Sequence, residues 1–216
     1  MLLGKRDTRA LYRKRARRYD LAIWIYRLFG FRVDHYRQRA TQALVLKPGD
    51  TVVDLGCGTG LNFELLQHAI GPAGTLIGVD LTDAMLHEAK DRVDKAGWTN
   101  VDLVENDLAT YTIPQGVDGI LSTLAITLVP EYDVVIKGAS RALRSGGRIA
   151  ILDLKRPERW PEWLVRFAVW LNKLYGVSLE LAERRPWESV RRYVQEVEYR
   201  EFYFGALYLS VGEAPK

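Results

Sequence analysis

Three glycines fall within five residues of this chain, in the run Asp54-Leu55-Gly56-Cys57-Gly58-Thr59-Gly60. The apolar residues Thr51–Leu55 lead into it, and an apolar-periodic stretch over 61–70 leaves it. Glycine is needed where backbone takes positive φ or approaches a ligand closely. A run so placed predicts a strand, a tight turn and a helix, with the turn's N–H groups gathered beside the helix N-terminus. The dinucleotide fingerprint G-x-G-x-x-G requires a glycine at 61, where this chain has Leu61. The pattern is D-x-G-x-G-x-G, with an acid two residues before the first glycine. A carboxylate there would serve a pyrophosphate poorly and an ammonium group, such as that of an amino-acid moiety, well.

Around this turn, short apolar runs alternate with amphipathic ones. Strands are predicted at Thr51–Leu55, Thr75–Asp80, 101–104, Val117–Thr123 and 148–154. Helices are predicted over 61–70, from Thr82 as N-cap to about Ala96, and over 131–143, ending at Ser145-Gly146-Gly147. Such alternation implies a parallel sheet covered by helices. The chain closes differently, with long strands over 193–203 and 206–211 around Gly205, an antiparallel hairpin. The fold class expected is therefore α/β, a Rossmann-like seven-stranded sheet, mostly parallel with a C-terminal antiparallel hairpin and helices on both faces. Three helical stretches come first, at 5–20, 21–30 and 33–46, before Lys47-Pro48-Gly49-Asp50 breaks the pattern. Residues 1–47 are thus read as an N-terminal helical arm and 48–216 as the main domain. That domain carries an insertion at about 156–192, rich in tryptophan at Trp160, Trp163 and Trp170.

Two further acids end strands in the same region. Asp80 lies 24 residues after Gly56, where a carboxylate can accept both hydroxyls of a ribose. Asp107, in Glu105-Asn106-Asp107-Leu108, is placed to accept from an adenine amino group. With the glycine turn, these acids and the terminal hairpin, the chain resembles the class I methyltransferases that use S-adenosylmethionine. The resemblance covers about 50–155 by motif. It implies that Asp54, Gly56, Gly58, Thr59 and Gly60 hold the methionine portion. Asp80, Leu81 and Met85 would hold the ribose side, Asn106, Asp107 and Leu108 the adenine, with Thr123 completing the site. Cys57 is read as a small packing residue of the turn.

A length of 216 residues suits one domain with a sizeable core. The single cysteine, Cys57, excludes an internal disulfide and a cysteine-rich metal site, so no metal is expected and a reducing cytoplasm is the default compartment. No apolar run approaches the ~20 residues needed to span a bilayer, and no secretory leader is read. The net charge of +4 hides an asymmetry: residues 1–47 sum to +10 and the remainder to −6. A basic arm implies a solvated face or an anionic partner.

The methyl acceptor is sought in the arm and the insertion. After the fourth strand the sequence reads Ser122-Thr123-Leu124-Ala125-Ile126-Thr127. It lacks the Asn/Asp-Pro-Pro-aromatic motif of base N-methylation and the acids that would hold Mg²⁺ for catechol methylation. Arsenic methylation relies on several cysteines. Tyr12, Ala16, Tyr19, Ile23 and Tyr26 form one stripe amid Lys5, Arg6, Arg9, Arg13, Lys14, Arg15, Arg17 and Arg18, a basic aromatic helix able to lie on an anionic bilayer. Trp163, Phe167, Trp170 and Leu174 form a second stripe, read as a packed helix or as a lid. Tyr19-Asp20 resembles the N-terminal element of two families, the bacterial phospholipid N-methyltransferases and the ubiquinone/menaquinone-biosynthesis C-methyltransferases. The quinone family's Asn soon after Tyr-Asp is replaced here by Ile23-Trp24-Ile25, which favours the phospholipid family. The resemblance implies that Tyr19 closes over the cofactor, as a further cofactor-binding residue, or lines the substrate pocket. The expectation is a peripheral enzyme on the inner face of the membrane that N-methylates an amino-phospholipid headgroup, with Tyr19, Tyr26 and His35 facing the acceptor, one of them taking the amine proton. The alternatives are C-methylation of a quinone precursor and a non-catalytic cofactor-binding module. No nucleic-acid partner is expected, and the oligomeric state is not read.

Overall fold

A computed structural model describes residue 13 and residues 32–158, 160–172 and 181–215. Its strands are β1 (Thr51–Leu55), β2 (Thr75–Asp80), β3 (Val101–Glu105), β4 (Val117–Thr123), β5 (Leu143–Leu154), β6 (Gln195–Phe202) and β7 (Leu207–Glu213). The helices are α1 (Val33–Ala43), α2 (Phe63–Ile70), α3 (Asp83–Ala96), α4 (Tyr132–Ala142), α5 (Glu162–Asn172) and α6 (Pro186–Tyr193). All seven strands form one sheet in the order β3-β2-β1-β4-β5-β7-β6. β1 to β5 pair in parallel, and β7 runs antiparallel between β5 and β6. The seven-stranded α/β expectation holds.

The central strands read as continuous apolar runs because both their faces are covered. Alternate side chains go to opposite sides. Val53, Leu55, Ile120, Ile149 and Ile151 join one cluster under α4 and α6, with Val135, Ile136, Ala139 and Val190. Val52, Leu121, Ala150, Leu152 and Leu209 join the other under α1, α2 and α3, with Ala40, Phe63, Leu66 and Ala89. Each fully buried Val, Leu, Ile or Phe side chain among them contributes roughly 1.5–3 kcal/mol.

β5 departs from the expected strand 148–154. It begins at Leu143, which pairs with Val117, and runs through the glycines read as a break. The register shift between Val117 and Gly119 absorbs the extra residues. A Cβ on Gly147 would come within 3.1 Å of three carbonyl oxygens, those of Arg144, Asp118 and Val117. The glycines therefore admit close backbone there and do not end the strand. The hairpin turns where expected, but Tyr203 and Phe204 share the left-handed conformation with Gly205.

Of the arm, the stretches 5–20 and 21–30 lie outside the described residues, except Arg13, which is helical and pairs with Asp83 of α3 at 2.7 Å. The third stretch is α1, which buries Ala40 in the core; Leu44, the next residue after the helix, is buried too. In the insertion, α5 buries Val165 while Trp163, Phe167 and Trp170 are 70%, 53% and 67% exposed. The aromatic stripe is solvent-facing, and Leu174 lies outside the described residues.

Gly212 of β7 lies under α6. A Cβ there would meet Val194 Cγ2 at 2.2 Å and Val190 Cγ1 at 2.9 Å. Gly212→Ala is expected to destabilise the domain by about 1–3 kcal/mol through overpacking, read as a lower urea midpoint at unchanged slope.

Candidate active site

The parallel strands end flush on one side. Leu55 pairs with Val79 and Asp80 with Glu105, so the segments after β1, β2, β3 and β4 meet above one edge. Ligands of open α/β sheets bind outside these carboxyl ends.

The glycine turn is built as its sequence demands. Gly56, Gly58 and Gly60 have φ of +73°, +56° and +78°. The N–H groups of Gly56 and Cys57 both donate to the Val79 carbonyl, fastening the turn to β2. A Cβ on Gly56 would stand 2.4 Å from Ala125 Cβ, so only glycine lets the loops after β1 and β4 approach this closely. Gly60 serves the entry into α2, where a Cβ would strike the Phe63 ring at 2.7 Å. Cys57 is 5% exposed, and burial pushes its thiol well above the usual range, so it fills space beside Gly78.

Asp80 joins two loops. Its Oδ2 accepts the Gly58 N–H and its Oδ1 the Thr82 N–H, both at 2.9 Å. Thr82 occupies the N-cap position of α3 without a side-chain cap bond. Burial raises the Asp80 pKa, opposed by these N–H bonds. Asp107 follows β3 and accepts the Ala109 N–H on Oδ1 at 3.0 Å.

One cleft is lined by Gly56, Gly58, Thr59, Asp80, Leu81, Met85, Asp107, Leu108 and Thr123, nine of the residues expected from sequence. Arg37, Cys57, Leu61, Thr82 and the segment Leu124, Ala125, Leu128, Val129 and Pro130 complete it. Asn106 sits beside it, its N–H donating to the Asp80 carbonyl.

Asp54 is one layer behind the wall. It is fully buried, and Asn62 Nδ2 donates to both its oxygens at 3.1 and 2.9 Å. Burial pushes its carboxyl up to about 7, against the pull of Asn62 and Arg37. Asn62 Oδ1 accepts from Arg37 Nη1 at 2.8 Å, and Arg37 also donates to Thr123 Oγ1. His35 is exposed on α1, its ring edge-on to Tyr36, and does not line the cleft. Tyr19 and Tyr26 lie outside the described residues.

Arg37, Asn62 and Asp153 were not singled out by sequence reasoning. The signal for Arg37 was a charged residue on the buried stripe of α1, between Val33 and Ala40–Leu44. Asp153 ends an apolar strand, as Asp54 and Asp80 do. It is 4% exposed, and its Oδ2 accepts the Thr127 N–H at 2.9 Å. Burial raises it to about 6. With Arg184, which donates to the Thr127 carbonyl at 2.7 Å, it fixes the segment after β4, where Leu124 adopts φ +57°.

Residues 46–185 match the family model described as a methyltransferase domain. The chain belongs to that family. It is 34% identical over 118 residues to an arsenite methyltransferase of Halobacterium salinarum, a match covering 54% of this chain and 30% of that protein. It is 32% identical over 152 residues to a 2-phytyl-1,4-naphtoquinone methyltransferase of Thermosynechococcus vestitus, 67% of each chain. It is 27% identical over 129 residues to a demethylmenaquinone methyltransferase of Listeria welshimeri, 59% of this chain and about half, 54%, of that one. A solved S-adenosylmethionine-dependent methyltransferase of Aquifex aeolicus superposes with a TM-score of 0.59 at 21% identity, over 82% of this chain and 88% of that one.

The cofactor of this methyltransferase family is S-adenosylmethionine. The cleft fits it: the Gly56 cradle would be filled by any Cβ, and Asp80 and Asp107 stand over adjacent strands at ribose-to-adenine order. Among the described residues no group of His, Cys, Asp or Glu is arranged to hold a metal.

Proposed function

We propose that the protein methylates a ring carbon of an apolar, quinone-type acceptor. The observation that carries this is the relative named as a phytyl-naphthoquinone methyltransferase, matched over two thirds of both chains. The cleft supports it. Beyond the cofactor's path its wall is Leu124, Ala125, Leu128, Val129 and Pro130, with no charged side chain. Such a wall suits a flat apolar ring and excludes water from it.

Bound cofactor supplies an electrophilic methyl group on sulfonium. The chain's part is alignment and desolvation. Asp153 and Arg184 hold the β4 loop rigid, and the Leu124–Pro130 wall seats the ring against the transferring methyl. Tyr19 and Tyr26, outside the described residues, stay candidates for the acceptor side, whereas His35 lies away from the cleft wall.

An amino-phospholipid headgroup, the leading expectation from sequence, has less behind it. Its amine and phosphate would need charged partners, and the acids lining the cleft, Asp80 and Asp107, are the ones that would be taken up by the cofactor's ribose and adenine. Arsenite has still less: the arsenite relative is matched over 30% of its length, and the one thiol here is buried and held protonated. A membrane-borne acceptor agrees with the exposed Trp163, Phe167 and Trp170 and with the basic arm. Among the described residues no helix is long and apolar enough to cross a membrane.

Incubating the protein with methyl-labelled S-adenosylmethionine and a total lipid extract, then separating lipid classes, tests this. Label is expected in the quinone fraction. Label in phospholipid headgroups would restore the first expectation, and no label despite cofactor binding would indicate a non-catalytic module.

A further inference from the structure

We propose that the protein docks on a lipid bilayer through an aromatic face made by α5 and the turn between β6 and β7, with the basic arm meeting anionic headgroups. This deepens the reading of an apolar, membrane-borne acceptor and rests on it for its purpose; its test needs no methyl transfer.

Every exposed tryptophan and phenylalanine among the described residues belongs to one of these two segments. Trp163, Phe167 and Trp170 recur at helical spacing on one face of α5, with the Phe167 and Trp170 rings stacked at 5.9 Å. Phe204 stands in the β6–β7 turn and is 81% exposed. Its backbone is left-handed, at φ 55° and ψ 34°, a conformation disfavoured outside glycine, so the turn holds this ring outward against a local cost. Both segments are anchored where β5 ends. The Lys155 N–H donates to the Ala206 carbonyl at 3.1 Å, and Arg156 pairs with Glu162 of α5 at 2.6 Å. At its other end the insertion returns to the cleft, where Arg184 donates to the Thr127 carbonyl. The aromatic segments therefore start from the same edge of the sheet onto which the cleft opens. Monomers rarely leave such a cluster of rings in water, and tryptophan favours the boundary between headgroups and acyl chains.

Charge says what covers the face. The insertion's own charges are answered locally, Glu162 by Arg156 and Arg166, and Lys155 by Glu201 and Glu158. The attraction comes from the arm, whose residues 1–47 sum to +10. Its described contacts put it at this edge. Arg13 pairs with Asp83 of α3, next to Thr82 of the cleft, and the Arg32 N–H donates to the Tyr203 hydroxyl at 2.8 Å, beside Phe204. The residues that join these two points include Lys14, Arg15, Arg17, Arg18 and Arg27 and one acid, Asp20. A second copy of the chain on this face would bring two such arms together against like-charge repulsion. An anionic bilayer answers the arm and receives the rings, the two contributions from which interfacial binding is built. An apolar acceptor then reaches the cleft without passing through water.

Cosedimentation of the full chain with phosphatidylcholine vesicles, with and without phosphatidylglycerol, tests this. The native protein is expected to bind the anionic vesicles at least about 10-fold better than the neutral ones, and high salt is expected to remove the difference. Trp163→Gln combined with Trp170→Gln is expected to lower affinity for anionic vesicles at least about 10-fold. Phe204→Asn, which suits left-handed backbone, is expected to lower it about threefold. Affinity for S-adenosylhomocysteine is expected to stay at the native value, which shows that both variants fold. Brominated acyl chains are expected to quench tryptophan fluorescence more in the native protein than in the double variant. Absence of binding to anionic vesicles would overturn the proposal, and so would binding that both variants keep, which would leave the arm alone as the contact. Self-association of the native protein without lipid, lost in the double variant, would overturn it by giving the face to a second copy. Vesicle binding with no label in the quinone fraction would uphold the docking face and count against the acceptor alone.

Discussion

Asp80→Ala is expected to lower affinity for S-adenosylhomocysteine by at least about 100-fold, equivalent to about 2.7 kcal/mol, while the sheet remains folded. Two losses combine. The carboxylate stands at the end of β2 in the cleft, where it would accept the ribose hydroxyls through lone pairs not used by backbone. Each such bond to a charged acceptor contributes roughly 1.5–3 kcal/mol. Its oxygens also tie the Gly58 N–H to the Thr82 N–H at 2.9 Å each, so alanine orphans both donors and frees the glycine turn. Asp80→Asn keeps one acceptor and is expected to lose about 10-fold. Calorimetry gives the affinities, and circular dichroism with a thermal midpoint checks the fold. An Asp80→Ala affinity within threefold of native would remove Asp80 from the cofactor site.

The strands were legible because their burial is written in runs. Thr51–Leu55, Thr75–Asp80 and Val117–Thr123 are apolar blocks closed by turn residues, and each emerged with the expected bounds. The insertion of β7 between β5 and β6 follows from pairing Arg148 with Glu213 and Leu154 with Leu207, contacts of long sequence separation that local periodicity does not encode. The site divides the same way. Gly56, Gly58 and Asp80 are readable because turn chemistry and strand ends place them from their own neighbourhood. Arg37, Asn62 and Thr123 meet across separations of 25, 61 and 86 residues, so no single window contains their network. Periodicity gave α5 one aromatic face and could not say which way it turns. The structure turns it to solvent, with Val165 inward. Leu124 shows a further limit: its left-handed backbone costs about 1–2 kcal/mol and is imposed by Asp153 and Leu152 holding the segment around it.

The ligand-free protein is expected to lose stability as pH rises from about 4 to about 7. Asp54 carries the largest part. Its folded pKa is about 7, raised by complete burial above the ordinary carboxylate value of 3.8. Between those values the folded state holds a proton that the unfolded chain has released, so each rise in pH favours unfolding; above about 7 the effect is complete. Asp153, raised to about 6, acts in the same direction, and so does Asp80. Asp133, lowered by hydrogen bonds from Ser189 and Tyr193, opposes them only at lower pH. A shift of this size at Asp54 corresponds to an upper bound of roughly 4 kcal/mol, reduced in practice by relaxation around Arg37. Asp54→Asn removes the titration. It also turns an amide N–H₂ toward Asn62 Nδ2, which costs about 1 kcal/mol at every pH. The slope is therefore the readout, not the absolute stability. Urea unfolding at pH 5 and pH 8 is expected to show the native protein weaker at pH 8 by about 2–4 kcal/mol, and Asp54→Asn losing less than half of that. Parallel curves for the two proteins would mean that Asp54 is ionised in the folded state throughout, as the partner of Arg37 and not a buried acid.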